Sequence, residues 1–200
     1  MDFTGQDIIL ENQRVTLRRL THDDFQHLEK FVLLEPELWQ FSLLSLSDTV
    51  ELKKYIERAV KLNRDGVEYP FIIFDKQTGQ YAGSTRFYDI QTVNKTLQIG
   101  YTWYGKKFQG TGLNQNCKFL LLQFAFEKLE MERVEFRADN RNKKSIAAMK
   151  SIGCVEEGVL RSHAETPAGE RRDSIVLSIL KKEWESGIKE KLIGKIAKKS

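Results

Sequence analysis

Cysteine is scarce here, with two in 200 residues. Cys117 and Cys154 both stand among apolar neighbours, which argues against a disulfide framework or a thiolate metal site and for two buried thiols in a reducing compartment. No metal is expected. Long hydrophobic runs are missing too. No stretch approaches the ~20 apolar residues that span a bilayer, and no early apolar segment resembles a secretory leader. No membrane partner is expected, and the cytoplasm is the expected location. Charge of one sign is also lacking: 32 Lys and Arg face 28 Asp and Glu, a net charge of +4. Part of that surplus lies in the closing KEKLIGKIAKKS, so the body is near neutral and nucleic-acid binding gains little support. No internal repeat or low-complexity linker marks a domain boundary.

What is present reads as one ordinary globular domain, 40% hydrophobic and 30% charged, long enough to bury a core without staples. RVTLRRL (residues 14–20) alternates as a strand does. Thr21 then caps a helix with an acidic first turn and a stripe of Phe25, Leu28, Phe31 and Val32. Ser47 or Asp48 opens a second helix. YPFIIFD, YAGSTRFYDI and TLQIGYTWYG are three strands joined by the short turns KQTGQ and QTVNK, a β-meander. A helix marked by Leu113, Cys117, Leu120, Leu121, Phe124 and Phe126 follows. RVEFRAD is a strand. NRNKKSIAAMKSIGC is a helix that starts around Asn142 to Ser145 and stops at Gly153. VEEGVLRSHAE and RRDSIVLSIL are two last strands. The expectation is an α+β fold of about seven strands in a mixed, mostly antiparallel twisted sheet flanked by helices, in the order β-α-α-β-β-β-α-β-α-β-β. The domain is placed at residues 1–185 and a basic helical tail at 186–200. That tail reads either as a frayed, solvated helix or as a contact for an acidic surface.

One stretch carries more than packing. FQGTGLNQNCK (residues 108–118) places two glycines between a strand and a helix, where a side chain would obstruct something. Such a turn aims backbone N–H groups one way, backed by the positive end of the helix dipole, and so suits an anion such as phosphate. A Rossmann fingerprint would need a glycine where Gln115 stands, and no short parallel βαβ unit precedes the turn. A Walker A loop would need Lys-Ser/Thr after its last glycine, where Leu113-Asn114 follows Gly112. Gln109-Gly110-Thr111-Gly112-Leu113-Asn114 instead resembles the Q/R-x-x-G-x-G/A pyrophosphate loop of the Gcn5-related N-acetyltransferases (GNAT). Asn114 departs from that pattern, since the family has Gly or Ala in its place. The resemblance extends over nearly the whole chain. RVTLRRLTHDDF, FIIFDKQTGQYAGSTRFYDI, LQIGYTWYGKKFQGTG, RVEFRADNRNKKSIAAMKSIGC, EEGVLRSH and RRDSIVLSILKKEW together are similar to the RimJ/RimL-like branch, the ribosomal-protein-alanine N-acetyltransferases.

The resemblance implies an acetyl-CoA-dependent N-acetyltransferase without a metal, in which a primary amine attacks the thioester directly. It implies that residues 98–103 splay from RVEFRAD and that pantetheine pairs with the freed edge at Tyr101, Thr102 and Trp103. Pyrophosphate would rest on Gln109, Gly110, Thr111, Gly112, Leu113 and Asn114. Asn142 and Ser145 match an N-x-x-S element that contacts the pantetheine arm; both are also ordinary helix-capping residues. Two departures bear on the chemistry. The position of the family's acidic tyrosine is Met149, which leaves Ser145 as a proton donor to sulfur, and Gln98 stands where relatives often have Glu. The proton acceptor would then be His163 or Glu165, although a strand histidine is often only half-exposed and idle. Trp39, Phe41, Arg86 and Trp103 would wall the acceptor cleft; aromatics at such positions also serve as core, and Arg86 as an ion-pair partner. The acceptor is a protein N-terminus or a small-molecule amine, and a homodimer is compatible with this reading. The alternative function is a non-catalytic coenzyme A-binding module or sensor of the same fold.

Overall fold

The computed structural model describes residues 5–197, so the last three residues of the basic tail lie outside the described residues. Eight strands form one sheet: β1 (Ile9–Glu11), β2 (Val15–Arg19), β3 (Tyr69–Asp75), β4 (Gln80–Gln91), β5 (Thr96–Tyr104), β6 (Arg133–Asp139), β7 (Val155–Glu165) and β8 (Arg171–Leu180), in the spatial order β1-β2-β3-β4-β5-β6-β8-β7. All neighbours are antiparallel except β5 and β6. The sequence-based count of about seven strands is corrected to eight by β1. This edge strand pairs through three residues only, too few for alternation to register, and is anchored where the Ile8 N–H donates to the Tyr69 hydroxyl at 2.8 Å.

The helices are α1 (Phe25–Leu34), α2 (Thr49–Arg64), α3 (Leu113–Gln123), α4 (Lys143–Ser151), the short α5 (Lys181–Glu183) and α6 (Lys189–Ala197). α1 is entered through a tight turn at His22–Asp24, where the buried Asp24 carboxylate accepts from the Thr21 N–H and from both terminal nitrogens of Arg18. Asp48 caps α2 by accepting from the Glu51 N–H at 2.9 Å. Asn142 does the same for α4, accepting from the Ser145 N–H at 3.0 Å. Gly153 closes α4 at φ +101°, and any Cβ there would collide with Ile188. α6 packs on α3 through the buried Leu192.

α1 and α2 cover one face of the sheet and α3 the other. The sheet side chains divide accordingly. Trp103 meets Phe31 of α1, and Arg86 stacks on Tyr55 of α2, whereas Thr102 meets Lys118 of α3. The core runs through both layers, with Leu17, Phe71, Phe87, Val134 and Leu177 fully buried in the strands and Leu28, Leu52, Leu113 and Leu121 in the helices.

Candidate active site

The sheet opens at its one parallel junction. β5 pairs with β6 only at Thr96↔Arg133, Leu97↔Val134 and Gln98↔Glu135. Beyond that apex β5 stays on β4 as far as Tyr104↔Gly83, and β6 stays on β8 as far as Asp139↔Ser174. The two strands therefore diverge into a wedge, and one edge of β5 from Ile99 to Tyr104 has no strand beside it. A bulge lies just past the apex, because Ser84 and Arg86 on β4 face Trp103 and Gly100, leaving Tyr101 and Thr102 opposite Thr85 alone. Tyr101 takes the strained left-handed conformation, at φ +50°.

The glycine turn lies at the open end of β5. Gly110 and Gly112 hold φ of +76° and +90°, and Gly112 is the residue that starts α3. The turn is held from below. Gln109 Nε2 donates to the Tyr104 carbonyl, Thr111 Oγ1 to the Phe108 carbonyl, and Arg14, fixed by Asp75, reaches Thr111 Oγ1 at 3.4 Å. Asn116 is the first α3 amide to bond an intrahelical carbonyl, that of Gly112 at 3.2 Å. Of the amides before it, that of Leu113 donates to Thr111 Oγ1 at 3.4 Å, while those of Asn114 and Gln115 have no intrahelical acceptor. Leu113 is buried in the core and Asn114 is half-buried. A pyrophosphate fits this turn: a Cβ built on Gly110 would meet nothing within 4 Å, and the amides at the helix start supply donors.

On the α1/α2 side of the sheet stand two separate groups, the tryptophans and Arg86. Trp39 and Trp103 meet edge to face at 4.9 Å, and both indole N–H groups are buried without a hydrogen-bond partner. Arg86 is buried, donates to Glu68 at 2.6 Å, and lies over the rings of Tyr101 (4.1 Å) and Tyr55 (4.9 Å). Its Nε and Nη2 are unpartnered. A cavity of about 140 Å³ opens beside it, lined among others by Ser45, Tyr55, Arg58, Arg86 and Tyr101. A roomier hollow of about 310 Å³ at His22, Phe25, Lys53, Ile56 and Glu57 shares no residue with the wedge. Phe41 takes part through its backbone, its carbonyl accepting from Arg172 Nη1 at 3.2 Å.

His163 and Glu165 sit farther off, on the outer strand β7, with β8 and β6 between them and β5. His163 Nδ1 lies 3.0 Å from Ser174 Oγ, and Nε2 lies 3.4 Å from the Arg137 guanidinium. His163 is exposed on β7; the little burial it has, then the charges of Arg137, Arg172 and Arg171, lower its pKa below the usual histidine value. Glu165 is exposed at the end of the β7–β8 hairpin. Ser145 stands in the first turn of α4, half-buried, and Met149 is buried one turn on. Gln98, at the apex, donates to Asp89 at 2.7 Å.

Two groups at the wedge escape a sequence reading. Tyr88 packs against Gly100, where a Cβ would come within 2.6 Å of its ring, and meets Tyr101 edge to face at 5.2 Å. Burial raises its phenol well above the usual value. Lys118 is buried in α3, its Nζ donating to Thr102 Oγ1 at 2.8 Å and lying 5.5 Å above the Phe136 ring. Neither announces itself in the chain, since a tyrosine in a strand and a lysine in a helix are ordinary there.

A parallel pair of strands parted beyond its third rung, with a glycine turn and a helix start at the mouth, is the geometry that the sequence resemblance implies. Residues 14–155 match the family described as the acetyltransferase (GNAT) domain. The chain belongs to the GNAT acetyltransferase family. The members of this family draw their acetyl group from acetyl-CoA, and the chain is an N-acetyltransferase by that membership. Among its GNAT relatives is the protein named "Putative ribosomal N-acetyltransferase YdaF" of Bacillus subtilis (strain 168), 29% identical over 180 residues that cover 87% of this chain and 95% of the relative. A GCN5-related N-acetyltransferase from Brucella melitensis superposes with a TM-score of 0.88 at 22% identity, covering 96% of this chain and 87% of that one. A ribosomal L7/L12 α-N-protein acetyltransferase, solved in complex with coenzyme A, superposes with a TM-score of 0.75 at 21% identity over 86% of this chain and 98% of that one. Identities that low speak for the GNAT fold alone. No helix among the described residues is long and apolar enough to cross a membrane, and no cluster of metal-ligating side chains occurs among them.

Proposed function

We propose that the chain moves an acetyl group from acetyl-CoA to a primary amine by direct attack of the amine on the thioester. The observation that carries this reading is the wedge: an unpaired β5 edge beginning one residue past the apex and ending at Tyr104, whose carbonyl accepts from Gln109 of the glycine turn before α3. Pyrophosphate rests on the turn from Gln109 to Asn114. The pantetheine arm pairs with the backbone at Tyr101, Thr102 and Trp103 as an added strand would, and Asn142 and Ser145 border its course at the start of α4. A backbone N–H of the β5 bulge polarises the thioester carbonyl. Holding the two reactants in this geometry supplies most of the acceleration.

The acceptor enters from the α1/α2 side, past Trp39, Trp103 and Arg86. The unpartnered Nε and Nη2 of Arg86 and the charge of Arg58 favour an amine that carries a carbonyl or carboxylate nearby. The first residue of a protein offers such a carbonyl, as does a small amino acid. The Bacillus subtilis relative is named a ribosomal N-acetyltransferase, which supports a protein N-terminus as acceptor. The test is release of free thiol from acetyl-CoA across a panel of amines, amino acids and peptides. Turnover limited to amines with a neighbouring carbonyl is expected. Tight coenzyme A binding without turnover on any acceptor would overturn acetyl transfer.

His163, although β6 and β8 stand between it and β5, is the proposed acceptor of the ammonium proton near neutral pH. Its pKa is lowered, so the neutral, proton-accepting form persists below the usual value of ~6.5. Activity should therefore fall only as pH drops below ~6.5, and His163→Gln should remove that acid limb with a loss of about tenfold to a hundredfold in kcat/KM. An unchanged pH profile in the variant would exclude His163 as the base. Glu165 would then be the remaining candidate on β7.

A further inference from the structure

Lys118 is a charged side chain buried on the α3 side of the wedge, and its surroundings do not satisfy it. An ammonium has three donors. Among the described residues its only hydrogen-bond partner is Thr102 Oγ1, itself bonded to Thr85 Oγ1 at 2.7 Å, and no carboxylate pairs with it. Burial at 5% exposure without a counter-ion is costly and calls for a compensating role. Position supplies one. Nζ is held between Thr102 of β5 and Phe136 of β6, strands that are no longer paired at that level. Lys118 lies about a turn and a half into α3, beyond the amides that face the mouth of the wedge. An extended chain entering from that mouth along the free β5 edge runs past Thr102, where Lys118 waits, toward the apex. In a thioester of coenzyme A its leading end is sulfur.

We propose that the Lys118 ammonium is the proton donor to the departing sulfur, the duty for which Met149 offers no acidic group. This rests on the acetyl-transfer reading above. The amine nitrogen bonds to the acetyl carbon, and the carbon–sulfur bond breaks with its electron pair left on sulfur. One Lys118 N–H proton passes to that thiolate. The proton shed by the amine goes to the base proposed above and from it to solvent, and a proton from solvent restores the Lys118 ammonium. The titratable groups that face Lys118 are Cys117 on its own helix and Cys154 just before β7. Burial pushes both thiols up to about 12, so neither competes for the charge. Burial brings Lys118 itself down to about 8, near the ~8.5 of a free thiol, which makes the transfer close to balanced.

Lys118→Met separates this role from a structural one. It keeps the length of the chain and removes a buried charge, so the thermal midpoint should hold or rise. With coenzyme A bound, the ultraviolet absorbance of the thiolate should titrate lower in the native protein than in the variant, by about tenfold in thiolate fraction at a fixed pH. With acetyl-CoA, kcat should fall about a hundredfold while its KM stays within about threefold. The same thiol titration in both proteins, or an unchanged kcat, would overturn the proposal and leave the acetyl-transfer reading standing. Failure of coenzyme A to bind the native protein would overturn both.

Discussion

Asn114→Asp is expected to weaken acetyl-CoA binding by about a hundredfold. Asn114 is the second residue of α3, half-buried in the first turn, so a carboxylate there is added to the turn proposed to hold the pyrophosphate. Two like charges ~5 Å apart at an effective dielectric of ~20 repel by about 3 kcal/mol, which corresponds to that loss. The fold should not suffer, because an acidic residue in a first helical turn is favourable by about 0.3–1 kcal/mol. This makes Asn114 a cleaner probe than Gly112, whose φ of +90° would strain any side chain placed there. Titration calorimetry with coenzyme A, paired with thermal unfolding, reads both quantities. Undiminished affinity in the variant would remove the turn as the pyrophosphate site. Raised salt should narrow the gap between the two proteins, since the repulsion is electrostatic.

Replacing Arg86 alone should cost the fold about 3–5 kcal/mol, the toll of leaving the Glu68 carboxylate buried without its partner. Both side chains are inside, at 2% and 10% exposure, and Arg86 Nη1 donates to the Glu68 carboxylate over 2.6 Å. Arg86→Met with Glu68→Gln removes the two charges together and should recover most of the loss, because a paired burial is often matched by neutral groups of like volume. Urea unfolding of the two single variants and the double variant gives the coupling directly. A double variant no more stable than Arg86→Met would mean that the pair is not what Arg86 contributes. The double variant also tests the acceptor cavity. If it folds as the native protein does, a raised KM for the amine with acetyl-CoA affinity kept would place the guanidinium against the acceptor. An unaltered KM would leave Arg86 as a structural residue that stacks Tyr101 into the bulge.

How much of this was legible beforehand varies with the kind of interaction. The meander β3-β4-β5 followed from alternation and from short turns, because each element depends on residues adjacent in sequence. The caps at Asp48 and Asn142 and the stop at Gly153 were equally local. β1 was not legible, for three residues hold too little pattern, and its pairing depends on β2 and Tyr69. Trp39 and Trp103 meet each other, while Arg86 lines a separate cavity with Tyr55 and Tyr101. His163 and Glu165 share the strand assigned to them, but that strand is the outermost of its half of the sheet. Sequence order says nothing of that distance, since β8 inserts itself between β6 and β7.

The sequence by itself determined the family, the glycine turn and the order of elements, all of which rest on short-range periodicity, turn chemistry and a local motif. Only the tertiary structure decided where β5 leaves β6, that Tyr101 is twisted into a bulge, and that Lys118 lies buried in the gap. The first depends on pairing between strands more than thirty residues apart, the second on the register of β4 against β5, and the third on a helix laid beneath them. A lysine in an amphipathic helix reads as solvated until the packing shows which face it takes. Here it takes the inner face, beside a strand edge left open, and that coincidence is a property of the fold.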